Sequence, residues 1–95
     1  MEVKFDIEYH ELVVKEDIPK ISKREKIRIK QAIEEKLQTQ PELFGKPLRK
    51  SIKNYRSLRV GNYRIIFRIA RRTVKIFIIQ HRSVVYKKAS TRILN

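Results

Sequence analysis

Val3, Phe5, Ile7 and Tyr9 alternate with Glu2, Lys4, Asp6 and Glu8 at the start of the chain. A period of two belongs to a strand with one buried face. The next stretch, "HELVVKEDIPKI", suits one or two helical turns, which Pro19 interrupts. Ser22-Lys23-Arg24-Glu25 then has the S-x-x-E spacing of a capping box. Ile29, Ala32, Ile33 and Leu37 follow at helical spacing, which predicts an amphipathic helix over about 23–39 with an apolar stripe for a sheet. "QPELFGKPL" holds two prolines and a glycine and reads as a loop.

The pattern then returns to strands. The first runs over about 55–60, and Gly61-Asn62 makes a tight turn into the second, 63–70. Arg71-Arg72 is a poorer turn signal, but the apolar pattern restarts after it. The third strand is "TVKIFIIQHR", whose Val74 and unbroken Ile76, Phe77, Ile78 and Ile79 suit a strand covered on both faces. In the tail, Val84 or Val85 with Ala89 and Ile93 keep helical spacing, so a short helix or a mobile tail follows. The expected fold class is α+β: an N-terminal strand and helical hairpin on one face of a small, mostly antiparallel four-stranded sheet.

Strand parity sorts the side chains. Tyr63, Ile65, Phe67 and Ile69 share one face with Leu58 and Val60, the obvious core. Arg64, Ile66 and Arg68 share the other, with Ser57 and Arg59. On the third strand Arg82 has the parity of Ile76, Ile78 and Gln80, and His81 has the opposite parity, provided no bulge intervenes. Arg59, Arg64 and Arg82 then converge from neighbouring strands ~4.8 Å apart, within reach of one phosphate. Three guanidinium groups in one concavity repel one another, a cost that suits an anion site better than a solvated face.

Charge sharpens this picture. The net charge is +14 over 95 residues, and all ten acids lie at or before Glu42. From Lys46 onward there are 15 Lys or Arg and no acid. Such a segment calls for a polyanion or an acidic partner. The length fits one domain, residues 1–95. The absence of cysteine removes disulfides and thiolate metal sites and is compatible with a cytoplasmic setting. No apolar run approaches the ~20 residues of a membrane helix, and the first nine residues do not read as a signal peptide. There is no Gly-rich phosphate loop, His/Asp metal spacing or Ser-His-Asp set.

The segments "GKPLRKSIKNYRSLRVGNYRIIFRI" and "VKIFIIQHRSVVY", within Gly45 to Tyr86, resemble the RelE/ParE superfamily of toxins, most closely the RelE branch. Each piece is weak alone, and the ordered set is specific. The resemblance implies a toxin of a toxin–antitoxin pair that cuts messenger RNA, typically on the ribosome. The neighbouring 2′-hydroxyl would be the nucleophile and no metal or other cofactor would be needed. It places the family's catalytic positions on Arg59, Arg64, Arg82 and Tyr86. A further family lysine falls on Ser57, so that charge is missing, with Arg56 or Lys53 nearby. Gln80 stands where glycine is usual. The implied partner is an acidic, RelB-like antitoxin, with the toxin a monomer alone and a heteromer in the complex.

Cleavage of this kind needs a base for the 2′-hydroxyl, charge stabilisation on the phosphorane and an acid for the leaving oxygen. Arginines suit the middle task. His81 is the natural proton-transfer residue near neutral pH, although its parity argues against it. Tyr86 can act as a base among arginines or stack on a nucleobase. Ser57, Lys53, Arg56, Arg68, Lys87 and Lys88 complete the expected RNA contacts. Two other readings keep the fold: a ParE-like toxin acting on DNA gyrase, and a non-catalytic basic nucleic-acid-binding domain.

Overall fold

The protein is described by a computed structural model over residues 4–48 and 54–94. Its centre is a five-stranded sheet in the order β1-β5-β4-β3-β2. The strands are β1 (Asp6–Tyr9), β2 (Lys46–Pro47), β3 (Arg56–Val60), β4 (Tyr63–Ala70) and β5 (Thr73–His81). β3, β4 and β5 form an antiparallel meander, and β1 joins β5 in parallel. The expected four strands are thus five. The extra one, β2, lies in the stretch read as a loop, where Lys46 and Pro47 pair with Ser57 and Arg56. Proline survives there because β2 is an edge strand. Val3, expected to face inward from the first strand, lies outside the described residues.

Local chemistry accounts for both hairpins. Gly61 takes φ +61° as the first of two turn residues, and Val60 pairs with Tyr63 across it. The Arg71-Arg72 turn is just as short, with Ala70 opposite Thr73, and forces Arg71 to φ +59°. A left-handed arginine is costly, which explains why this turn was a weak signal.

One face of the sheet is covered from the N-terminal half. Helix α1 (Lys23–Ala32) starts at Ser22, whose Oγ accepts from the Glu25 N–H at 3.3 Å, as the capping box predicts. It continues through Ile33–Leu37 in a widened turn, where the Gln38 N–H donates to the Ile33 carbonyl five residues back. Four-residue spacing drifts around an ordinary helix of ~3.6 residues per turn. The widened turn offsets that drift and keeps Ile29, Ile33 and Leu37 all buried. Before α1, residues Val13–Asp17 form a similarly wide turn, then Ile18–Lys20 a tight one. Val13, Ile21 and the α1 stripe pack on Leu58, Val60, Ile65, Phe67, Val74, Ile76 and Ile79.

The second face carries helix α2 (Val85–Leu94), so the tail is a helix. Val85 and Ala89 pack on Ile66 and Ile78, with Leu48, Tyr55 and Ile93 around them. β5 is therefore covered on both faces, as its unbroken apolar run implies. Its alternation does break: Phe67 pairs with Ile76 and Ile66 with Ile78, leaving Phe77 as the extra residue of a bulge. Ile76 consequently faces α1 while Ile78 faces α2. The expected shared parity of Arg82 with Ile76 is corrected, because the bulge puts Ile76 on the face opposite Ile78.

Candidate functional site

The α2 face of β3 and β4 brings three of the expected residues together. Ser57 is buried, only 4% exposed, and its Oγ lies 3.3 Å from the Tyr86 hydroxyl. Arg64 Nη1 donates to the same Oγ at 3.4 Å. The Arg64 guanidinium also lies 5.9 Å from the centre of the Tyr86 ring. The sheet supplies Ser57 and Arg64 from adjacent strands, and the first turn of α2 supplies Tyr86. Burial of Val85 and Ala89 fixes the roll of that helix, and Tyr86, one position on, is left 42% exposed beside β3.

Arg59 is directly cross-strand from Arg64. Like charges directly opposite are destabilising, so the pair raises the positive potential of this face at a structural cost. Arg59 Nε relieves part of it by donating to the Gly61 carbonyl at 3.0 Å, and the side chain stays exposed. Arg82 lies one residue past β5, in the turn before α2. Its backbone N–H donates to the Asn62 carbonyl at 2.8 Å, which ties it to the β3–β4 turn, and its side chain is exposed.

The remaining candidates go elsewhere. His81 pairs with Tyr63 and its ring meets the Tyr63 ring edge-on at 5.9 Å, on the α1 face of the sheet. Its Nδ1 accepts from the Ser83 N–H at 3.2 Å, which leaves the proton of the neutral ring on Nε2. Strand parity correctly set it apart from Arg64. Arg56 also has the parity of Leu58 and holds the loop before β2, reaching the Glu42 and Gly45 carbonyls at 3.4 and 3.5 Å. Arg68 shares the Arg64 face but sits between the rings of Tyr55 and Phe77, 5.9 Å from each. Lys87 and Lys88 are exposed on the other flank of α2, along a groove with Leu12, Glu16 and Lys20. Lys53 lies outside the described residues.

Two residues that the sequence did not single out hold this arrangement. Asp17 is 1% exposed and receives four donors. Arg92 Nη1 and Nη2 reach its two oxygens at 2.8 and 3.0 Å. The Ile79 N–H donates to Oδ2 at 2.9 Å and Gln80 Nε2 to Oδ1 at 2.6 Å. Arg92 Nη1 also donates to the Phe77 carbonyl at 3.0 Å. β1 pairs with β5 only as far as Ile76, so these side chains satisfy the uncovered edge beyond it. Gln80, unusual beside the sequences this chain resembles, is explained by its bond to Asp17. Among the described residues no cluster of His, Asp or Glu is placed to hold a metal ion, and no helix is long and apolar enough to cross a membrane.

Residues 7–86 match the family described as the ParE toxin of the type II toxin–antitoxin system parDE. Among solved structures, the chain is similar to one in the RelBE2 toxin–antitoxin complex of Mycobacterium tuberculosis. The TM-score is 0.78 at 28% identity, covering 85% of this chain and 94% of that one. It is also similar to a chain of the RelB–RelE antitoxin–toxin complex of Methanococcus jannaschii, with TM-score 0.64 at 26% identity over 85% and 96% of the two chains. No match is found among curated protein sequences. The sheet, the helical layers and a family match spanning both halves agree, and the chain belongs to the RelE/ParE superfamily of type II toxin–antitoxin toxins.

Proposed function

We propose that this toxin is an endoribonuclease that cuts messenger RNA, on the ribosome, through the RNA's own 2′-hydroxyl. The observation that carries the reading is the meeting of Arg64 and Tyr86 on one buried hydroxyl, Ser57, all three drawn from the acid-free basic segment that starts at Lys46. In the reaction the 2′-oxygen attacks the adjacent phosphorus. The O2′–P bond forms and the P–O5′ bond breaks, leaving a 2′,3′-cyclic phosphate and a free 5′-hydroxyl. Negative charge grows on the non-bridging oxygens, where the fixed Arg64 guanidinium donates, with Arg59 and Arg82 at the rim. Tyr86, its hydroxyl positioned by Ser57, relays the proton: its oxygen accepts the one the attacking 2′-hydroxyl loses, and its own passes to the departing 5′-oxygen. His81, on the opposite face of the sheet, takes no part in this scheme.

The other half of the proposal is a partner. The solved relatives are toxin–antitoxin complexes. Here the segment from Lys46 onward carries +15 with no acid, which suits an acidic antitoxin covering the same face as the RNA.

The test is growth arrest on expression, with RNA recovered from the arrested cells. Wild type should arrest growth and leave messenger RNA cut, while Arg64→Ala and Tyr86→Phe should relieve both. Intact messenger RNA on ribosomes exposed to folded, antitoxin-free protein would overturn the reading. A second reading follows from the ParE description of the matched family: a toxin acting on DNA gyrase. It predicts gyrase-linked DNA breaks with intact RNA.

A further inference from the structure

We propose that Arg68 and the cavity beside it form a second phosphate-binding subsite for the same RNA strand, a proposal that rests on the ribonuclease reading. Arg64 and Arg68 share the α2 face of β4 four residues apart, ~13 Å along the strand. A single-stranded RNA held at Arg64 therefore has a second guanidinium within reach, at the far end of the sheet from the Gly61-Asn62 turn.

The surroundings of Arg68 are those of a prepared cation. Its guanidinium lies 5.9 Å from the centres of both Tyr55 and Phe77. Those two rings meet edge-on at 4.9 Å, and His10 approaches Phe77 at 5.8 Å, so the frame is rigid. Aromatic walls hold the plane of the guanidinium and reduce the rotamer entropy lost when it binds an anion.

What the walls leave unsatisfied is the hydrogen bonding. Arg68 Nε is buried with no hydrogen-bond partner among the described residues. Elsewhere this protein satisfies its partly buried arginines: Arg92 has Asp17 and a carbonyl, and Arg56 has two carbonyls. A buried donor left unmade is costly, and while Nε itself is shielded, the rest of this half-buried guanidinium can donate to a phosphate oxygen, a strong acceptor. Beside Arg68 opens a cavity of about 610 Å³, lined among the described residues by Pro47, Asn54, Tyr55, Arg56 and Ala70. The chain supplies no acid after Glu42 to fill the role.

The experiment uses the wild-type protein and a short single-stranded RNA with 2′-O-methyl riboses, which cannot be cut. Neutral methylphosphonate linkages replace its phosphates one at a time. Wild type should show two separated sensitive linkages. Arg68→Gln should bind roughly tenfold more weakly. It should also show a salt slope shallower by about 0.7 and lose sensitivity at the second linkage only. Arg68→Lys should keep most of the slope. A single sensitive region in wild type would overturn the subsite whether or not any variant folds. An Arg68→Gln protein with native melting and unchanged affinity and slope would do the same, with the ribonuclease reading left standing. Failure of wild type to bind the RNA at all would remove that reading and the subsite with it.

Discussion

At Ser57 a hydroxyl 4% exposed holds Tyr86 Oη at 3.3 Å and Arg64 Nη1 at 3.4 Å. The sequence marked this position only as a missing charge. A lysine there would bring a charge of its own to the face; serine instead joins Arg64 and Tyr86 through its hydroxyl. On the proposed ribonuclease reading, Ser57→Ala should slow RNA cleavage about 3- to 10-fold, the worth of one modest hydrogen bond, with RNA affinity nearly unchanged. Single-turnover cleavage against a binding isotherm checks this. Tyr9 gives a residue-scale test of stability. Partial burial, at 40% exposure, and then the nearby Glu34 carboxylate push its phenol above its ordinary value. Its contribution is complete below pH ~10, where the phenol is neutral in both states. It is lost as pH rises from the unfolded value through the folded one, because the unfolded chain releases its proton first. Melting temperature should fall on that alkaline limb for wild type and fall less for Tyr9→Phe. Parity alone separated His81 from Arg64, whereas the destinations of Arg56 and Arg68 depended on carbonyls and rings distant in sequence.

Among the elements, β2 and β5 departed most from their patterns. β2 forms because Gly45 turns the chain at φ +89°, close enough to the core that an added Cβ would sit 3.0 Å from the Phe67 ring and 3.2 Å from the Ser57 carbonyl. Gly45→Ala should destabilise the protein by about 2–4 kcal/mol, the sum of left-handed backbone strain and overpacking, read by urea unfolding. Because β2 pairs with β3 at Ser57, the same variant should also loosen the candidate site. In β5 the bulge at Phe77 was invisible, since an unbroken apolar run carries no parity signal. The bulge lets Phe77 and Ile78 both serve the α2 face while Ile79 returns to the α1 face. The capped start of α1 was legible because Ser22 and Glu25 act within one turn.

Across the whole molecule, the Asp17–Arg92 pair joins segments 75 residues apart and fastens α2, hence Tyr86, to the sheet. Its side chains are 0% and 8% exposed, so removing one partner strands a desolvated charge. Asp17→Asn should cost about 3–5 kcal/mol by chemical denaturation. An apolar pair of similar volume, Asp17→Leu with Arg92→Met, should recover only part of that loss, because the Ile79 N–H, the Gln80 amide and the Phe77 carbonyl lose their partners. On the proposed ribonuclease reading, the double variant should regain stability before it regains cleavage, because it lacks the bidentate geometry that sets α2. The opposed charge of the two chain segments acts at this scale as well: the weaker the salt, the stronger the association with any polyanion or acidic partner should be.

The fold class, the faces of β3 and β4 and the basic character of the second half were readable from the chain itself. They depend on local propensity, on a period of two or 3.6, and on summed charge, none of which needs to know what lies across the sheet. Tertiary structure alone decided which basic residues meet, through the bulge that resets β5, the widened turn that keeps the α1 stripe in line, and the buried Asp17–Arg92 pair. Each is a long-range satisfaction of packing or hydrogen bonding. Such contacts are chosen by what remains unpaired once the local elements have formed, and the order of residues along the chain holds no local trace of them.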